Sequence, residues 1–579
     1  MYYAKSNLID AEIVFLLDIT IQDRDYRFST YPVYISDGDS QIPYEGELED
    51  ISFEQSLNQI GRVKKQIDSI SLALTFPFNV AQRQMIGKGI ELSKCRLYYV
   101  LEKNGLIESS IFERVLLYTG VLTDPVFGHP DQDVGYVEFS IENEIVFSDQ
   151  SFLSNILGEN IMIESAAFSA TRFSGGVGGV FPPVDPDGII DVNDMHRGKA
   201  SPIVIGSPGV TTNQKGAPAN FGASPCYLMA YTNTAPDYEA YYLIAGHPVL
   251  ADTVKMYDNK GHFEDNLPVY EYVSRRGETY SYLILDVTTP IDRSFVVNTD
   301  IEYWIEWDDG QGLPSSVGAG ALTGGGDLCI YALNSLNIDY DRESWQAVRD
   351  RLNEYQFAGY INDPKIKMFQ WLEKNVIAYL PIAVSAGPKG LSPVLDLRLD
   401  TTLIQSRISI IEGPDFKRIS PLIPLSAAGN VLNDLVVQYA PSGFADTSGS
   451  PFSSYVRSSY QRIEGAGAYE DVSPLAIISY QRYGVKNQVI SLDYVYEMQT
   501  AAKIANNYMR QNALPTRSAK YAGALSFGYL EIGDIVELQD IEIGLSANRC
   551  QIIAKKYDNS SWIFDILIET NPILNERIQ

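Results

Sequence analysis

The chain has 579 residues, 45% of them hydrophobic and 20% charged, which supplies several cores and excludes a disordered chain. At roughly 150 residues per domain, about three to five domains are expected. Lys and Arg number 44 against 73 Asp and Glu, and a net charge of −29 argues against binding nucleic acid by phosphate neutralisation.

Tyrosine is frequent, 38 against 23 Phe and 5 Trp, which suits half-buried strands where the ring packs and the hydroxyl stays wet. The N-terminus lacks a basic start, a long apolar run and a cleavage site. AEIVFLL is interrupted by Asp18 and is too short to span a membrane, so the reading is a chain folded in the cytoplasm with no membrane anchor. FLLDITIQD, QIDSISLALTFPF, CRLYYVLEK, FERVLLYTGVL and VGYVEFSIEN alternate as strands do, NVAQRQMIGKGIEL is a local helix or loop candidate, and DQSFLSNILGEN reads as helical. These make a first β domain over 1–160.

SGGVGGVFPPVDPDGIIDVNDMHRGKASPIVIGSPG, rich in Gly, Pro and Asp, marks 161–221 as a connection. An inserted β-rich domain follows over 222–317. The block 318–430 mixes helix and strand. Trp345, Val348, Leu352 and Tyr355 fall at helical spacing with Asp341 or Ser344 as N-cap, and Pro364 precedes Met368, Trp371, Leu372 and Val376. The last block, 431–579, carries a helix over 494–512, with Met498, Ala501, Ala502, Ala505, Tyr508 and Met509 as its apolar stripe. YLEIGDIVELQD follows, then a hairpin turning at Asp558-Asn559-Ser560.

Chemistry-bearing motifs are scarce. His129, His196, His247 and His262 sit in turn-like contexts, and Cys95, Cys226, Cys329 and Cys550 are scattered singly, as small buried apolar residues are. GAGALTGGGD, Gly318 to Asp327, has no Lys to reach a phosphate and reads as a flexible connection. Asp185, Asp187, Asp191 and Asp194 offer oxygen ligands, but Pro186 and Gly188 fit a calcium loop poorly and no Glu closes it; a solvated acidic turn is the reading. Asp308 and Asp309 beside Trp304 and Trp307 could pair as in a glycosidase, yet WIEWDDGQG also reads as a strand ending in a turn. No catalytic, cofactor-binding or metal site is assigned, and a structural rather than enzymatic role is expected.

The order of segments then resembles a family. FERVLLYTGVLTDPVFG followed by VGYVEFSIENE resembles the first domain of tail hub proteins of tailed bacteriophages. GKASPIVIGSPG is similar to a Gly-x-x-x-Pro-x-x-x-Gly connection in related tail-tip and particle hubs, and YLIAGHPVLADTVKMYDNKG to the inserted β domain after it. GGGDLCIYALNSLNIDYDRESWQ resembles a hub segment leading into a second barrel. ISLDYVYEMQTAAKIANNYMRQN and YLEIGDIVELQD resemble the helix and large-x-x-Gly-Asp-x-[VI] strand of hub and tip-attachment proteins.

The resemblance implies a mainly β, multidomain chain with α+β parts: two tube-like β-barrel domains, inserted β domains and a few short helices. It implies a homotrimeric ring in the virion's tail tip or baseplate, continuing the hexameric tail tube, with DNA passing through the lumen during ejection without specific binding. Expected partners are the distal tail or tail-tube protein, the tape-measure protein, and tip or fibre proteins. The alternative is a tail-tip carbohydrate-binding protein or polysaccharide-degrading enzyme built on the 222–316 block. Within YLEIGDIVELQD, Leu530, Ile532, Ile535 or Val536, and Leu538 are expected partly inward, with Gly533-Asp534 as a bulge or turn.

Overall fold

The computed structural model describes residues 11–142 except 22–23, 39, 57–65, 76–88, 104–105, 108–113 and 132–133; 163–164, 189–190 and 201–206; 224–316 except 232–238, 259–262, 274–278, 287–302 and 308–311; and 320–568 except 364, 388, 399–407, 425–430, 442–451, 462–468 and 559–560. The architecture is mainly β, with one nearly closed barrel, two half-barrels and helices between the sheets. The helix candidates NVAQRQMIGKGIEL and DQSFLSNILGEN lie largely or wholly outside the described residues, as do Asp185, Asp187, Asp191 and Asp194.

The N-terminal sheet runs in the order Arg24–Ser29, Ala11–Ile21, Lys94–Lys103, Val115–Asp131, Val134–Glu142, Gln66–Thr75 and Leu48–Ser52. Its first long strand explains why AEIVFLL is apolar on successive residues. Ile13, Phe15, Leu17 and Ile19 enter the main core, while Val14 and Leu16 are covered by Val33, Ile35 and Tyr44 of the hairpin Val33–Asp37 and Ser40–Tyr44. A strand buried on both faces reads as a continuous run instead of an alternation.

The C-terminal sheet runs Ile408–Ile411, Ile535–Asp540, Leu545–Asp558, Ser561–Ile568, Arg517–Gly523 and Phe416–Arg418. A strand from the other end of the chain joins it: Glu54–Ser56 pairs antiparallel with Leu545–Asp558. One core follows the weld, running without a break from Ile13 to Ile568. Phe53 and Tyr99 pack on Trp562 at 6.1 and 6.0 Å between ring centroids, and Phe15 meets Tyr557 edge-on at 5.3 Å.

Helices α1 (Gly325–Ser335), α2 (Arg342–Leu352) and α3 (Met368–Asn375) form the middle block. Asp341 caps α2 by accepting the Ser344 N–H, and Trp345, Val348, Leu352 and Tyr355 are buried as their spacing predicts. The glycine-rich stretch before Asp327 departs from the expected flexible connection. From Gly324 it is the packed start of α1, and the glycines are there for close approach. A Cβ on Gly326 would lie 2.6 Å from the Arg349 carbonyl oxygen, and one on Gly325 2.8 Å from the Leu380 side chain. Polar Asp and Gly at the start of this helix hid it from a periodicity reading.

Helix α4 (Pro474–Tyr483), absent from the sequence reading, precedes α5 (Met498–Asn512). On α5 the buried face is Thr500, Ala501, Ile504, Ala505 and Met509, whereas Met498 is 47% exposed. Thr500 is buried because its hydroxyl accepts the Gln356 N–H at 3.0 Å. The helix packs on the strands Asp434–Pro441 and Phe452–Ser459 of a mixed four-stranded sheet, not on the larger C-terminal sheet.

Among the described residues the inserted block forms a seven-stranded sheet with its own core around Tyr242, Ile244, Met256, Leu283 and Trp307. Among its ties to the rest are the strand Ile203–Ile205, which pairs antiparallel with Gly359–Ile361, and the edge-on contact of Trp304 with Tyr360. Val204 enters the inserted core and Ile205 the main one, so the two-residue period of a strand bridges the two bodies.

Candidate functional site

The segment YLEIGDIVELQD builds the wall of a cleft. The strand begins only at Ile535; before it Gly533 turns the chain at φ +95°, where a Cβ would also lie 2.6 Å from Val394. The Asp534 carboxylate accepts the Glu531 N–H at 2.8 Å and its carbonyl accepts the Ile552 N–H at 2.9 Å. Leu530, Ile535, Val536 and Leu538 are buried, while Ile532 is half-buried. Gly533 and Asp534 thus act as a turn that sets shape.

Three parts of the chain meet beside this turn around a cavity of about 330 Å³. The N-terminal sheet supplies Phe53 and Leu116, the hairpin Ile382–Gly387 and Gly390–Leu395 supplies Ser385 and neighbouring Lys389, and the C-terminal sheet supplies Glu531 and Lys555. Gln551 fastens the last two parts, its amide donating to Leu395 O at 2.7 Å and Gly533 O at 3.2 Å.

Lys555 is 4% exposed, and its Nζ donates to the Gly528 carbonyl at 2.6 Å and stands 4.4 Å from the Trp562 ring centroid. Burial pulls its pKa down to about 8, against the opposing pull of Glu531 and Asp534. Although Glu531 is an exposed residue, desolvation raises its carboxyl, and Asp534 adds to the rise. Desolvation also raises Asp534, against the Glu531 N–H and Lys555. The cleft therefore sets an amine whose pKa burial lowers beside carboxyls whose pKa burial raises.

Lys555 was not singled out in the sequence because of a single backbone irregularity. The register with Ser561–Ile568 shifts between Ile552 and Ala554, and Cys550 and Ile552 point inward before the shift. After it Lys555 takes the inward place. A bulge exchanges the two faces of a strand, and simple alternation through QIIAKKYD cannot reveal one.

The residues weighed from sequence are dispersed. His247 accepts the Val204 N–H on Nε2 at 2.9 Å and its Nδ1 contacts Pro248 O at 2.7 Å, fastening the inserted block to the Ile203–Ile205 strand. Burial pulls it down to about 4, so the ring is neutral, a donor on Nδ1 and an acceptor on Nε2. The side chain of His129, and His196 and His262, lie outside the described residues. Trp307 is buried and donates to Ser224 Oγ at 2.7 Å, while Trp304 meets Tyr360 edge-on; they form no exposed aromatic wall, and Asp308 and Asp309 lie outside the described residues.

Asp327 is held by Arg349 at 2.6 Å and by Asn353 at 2.9 Å. Burial pushes its carboxyl up, but these hydrogen bonds outweigh it and hold it below the usual range. The four cysteines are free and buried, and desolvation raises the thiols of Cys95, Cys226 and Cys329. Among the described residues no group of three or more His, Cys, Asp or Glu is placed to hold a metal, and no helix is long and apolar enough to cross a membrane.

The chain is similar to phage tail proteins. A 43 kDa tail protein of prophage MuSo2 from Shewanella oneidensis matches with 10% identity over 96% of this chain and 98% of that one, at a TM-score of 0.33. A tail protein from Neisseria meningitidis MC58 matches with 8% identity over 96% and 97%, at 0.36. A chain from the virion of a native gene transfer agent particle matches with 12% identity over 69% and 90%, at 0.37. No residue role is carried over from these matches. No protein-family model matches the sequence, and no curated protein does.

Proposed function

We propose that the chain is the structural hub of a phage tail tip or baseplate, a homotrimer whose ring continues the hexameric tail tube and passes DNA during ejection. The observation that carries this reading is a pair of fused sheets with open edges. The terminal sheets are fused through Glu54–Ser56 and a shared core, and among the described residues Ile408–Ile411 and Asn487–Ser491 stand at the ends of their sheets. Ile411 is 65% exposed on one and Val489 60% on the other. Unpaired apolar edges are templates for pairing with another chain, and a fused body holds such edges at fixed angles, as a closed ring requires.

The role is non-enzymatic, with distal tail or tail-tube, tape-measure and tip or fibre proteins as neighbours in the virion, after assembly in the host cytoplasm. A net charge of −29 suits a lumen that does not retain DNA. Mass photometry of the purified chain tests the reading: three-copy particles with a threefold ring in negative stain are expected, and a stable monomer at micromolar concentration overturns it.

A further inference from the structure

The cleft beside Gly533 has a chemistry that a purely structural wall does not need. Its volume, about 330 Å³, is within the range of small-molecule sites. Its charges are mixed: Lys555 and Lys389 face Asp341, Glu531 and nearby Asp534. Asp341 is engaged as the α2 cap, and Lys389 pairs with Glu343 at 3.4 Å. A free anion would meet the carboxyls and a free cation the amines, so a neutral ligand fits best. Lys555 lines the cavity, and its amine is positioned by the carbonyl of Gly528, which lines it too, and by the Trp562 ring.

We propose that Lys555 is a reactive amine at which the folded chain forms an imine with a small neutral aldehyde or ketone admitted to this cleft. The amine lone pair attacks the carbonyl carbon, making the C–N bond as the C=O π bond breaks, and the carbonyl oxygen takes a proton from water, with the Glu531 carboxylate in the same cavity placed to relay protons. The nitrogen gives a proton to that carboxylate, which passes it to the hydroxyl; the hydroxyl leaves as water as the C=N bond forms, and the iminium proton goes to the hydroxide left by the first transfer. One amine and one carbonyl give one imine and one water, with no oxidant or reductant. A lysine desolvated against an aromatic wall is activated for this attack because more of it is neutral near pH 7. The inference rests on the cleft alone and stands apart from the tail-hub reading.

The test uses the intact chain with propanal, cyanoborohydride to trap the imine, and peptide mass spectrometry to locate it. Lys555 is expected to label about tenfold faster than exposed Lys365 and Lys417. Its rate should rise with an inflection near pH 8, set by the lowered amine pKa. Glu531→Gln, at an exposed position that the fold tolerates, should slow labelling at Lys555 and leave Lys417 unchanged. Labelling of Lys555 no faster than the exposed lysines, an inflection above pH 10, or labelling only after urea unfolding overturns the proposal.

Discussion

Trp562, at the junction of the terminal sheets, packs on Phe53, Tyr99 and Tyr557, which come from opposite ends of the chain. The inserted block instead keeps a core of its own, and the strand Ile203–Ile205, with one histidine clamp, fastens it to the rest. The first attachment is distributed over a continuous apolar core, and the second is concentrated in a few polar and backbone contacts. The terminal sheets should therefore melt as one unit, while the inserted block can loosen by itself and respond to pH.

The strongest way to break this contrast is Trp562→Ala. Removing a fully buried indole should cost about 3–5 kcal/mol. Calorimetry should show the transition of both terminal sheets falling together; loss confined to the C-terminal sheet would mean the weld is weaker than its geometry suggests.

Acid should act on the inserted block. With its pKa lowered from 6.5 to about 4, His247 favours the folded state above the unfolded pKa, and that stability drains as pH falls from 6.5 through 4. The loss amounts to about 3 kcal/mol at most, from 1.36 kcal/mol per unit. Hydrogen exchange of the Val204 amide between pH 7 and pH 4 reads it, taken relative to an exposed strand amide to remove the intrinsic pH dependence. His247→Gln, which offers an amide oxygen to the same N–H, should flatten the profile.

A smaller effect sharpens the picture of the middle block. Gly326→Ala would gain helix propensity but drive a methyl against the Arg349 carbonyl, for a net loss of about 1–3 kcal/mol in urea melts. A flexible linker would tolerate the change or gain from it. Asp341→Ala, which removes the α2 cap, should cost about 1 kcal/mol. At the small end, Ile411→Ser and Val489→Ser should change monomer stability by less than about 0.5 kcal/mol, as exposed positions do. If these edges join copies, the same pair should lower the trimer fraction in mass photometry.

Much of this fold was legible where one local rule decided the outcome. The spacing of Trp345, Val348, Leu352 and Tyr355 gave α2, and of the two cap candidates, Asp341 and Ser344, the structure uses Asp341. The burial of Leu530, Val536 and Leu538 and the turn at Gly533-Asp534 were readable because the apolar alternation and a glycine that only a tight turn favours stand side by side. The buried face of α5 was read less well, because Thr500 is admitted to it by a hydrogen bond from a backbone amide 144 residues away in sequence.

The sequence by itself determined the β character of the chain, its acidity, the apolar face of α2 and the turn in YLEIGDIVELQD, since these depend on residues within a turn or two of one another. Only the tertiary structure decided that Glu54–Ser56 joins the last sheet, that the glycines before Asp327 pack a helix, and that Lys555 faces a cleft. Each depends on a partner distant in sequence or on a one-residue bulge that reverses the faces of a strand. Local pattern carries no record of either.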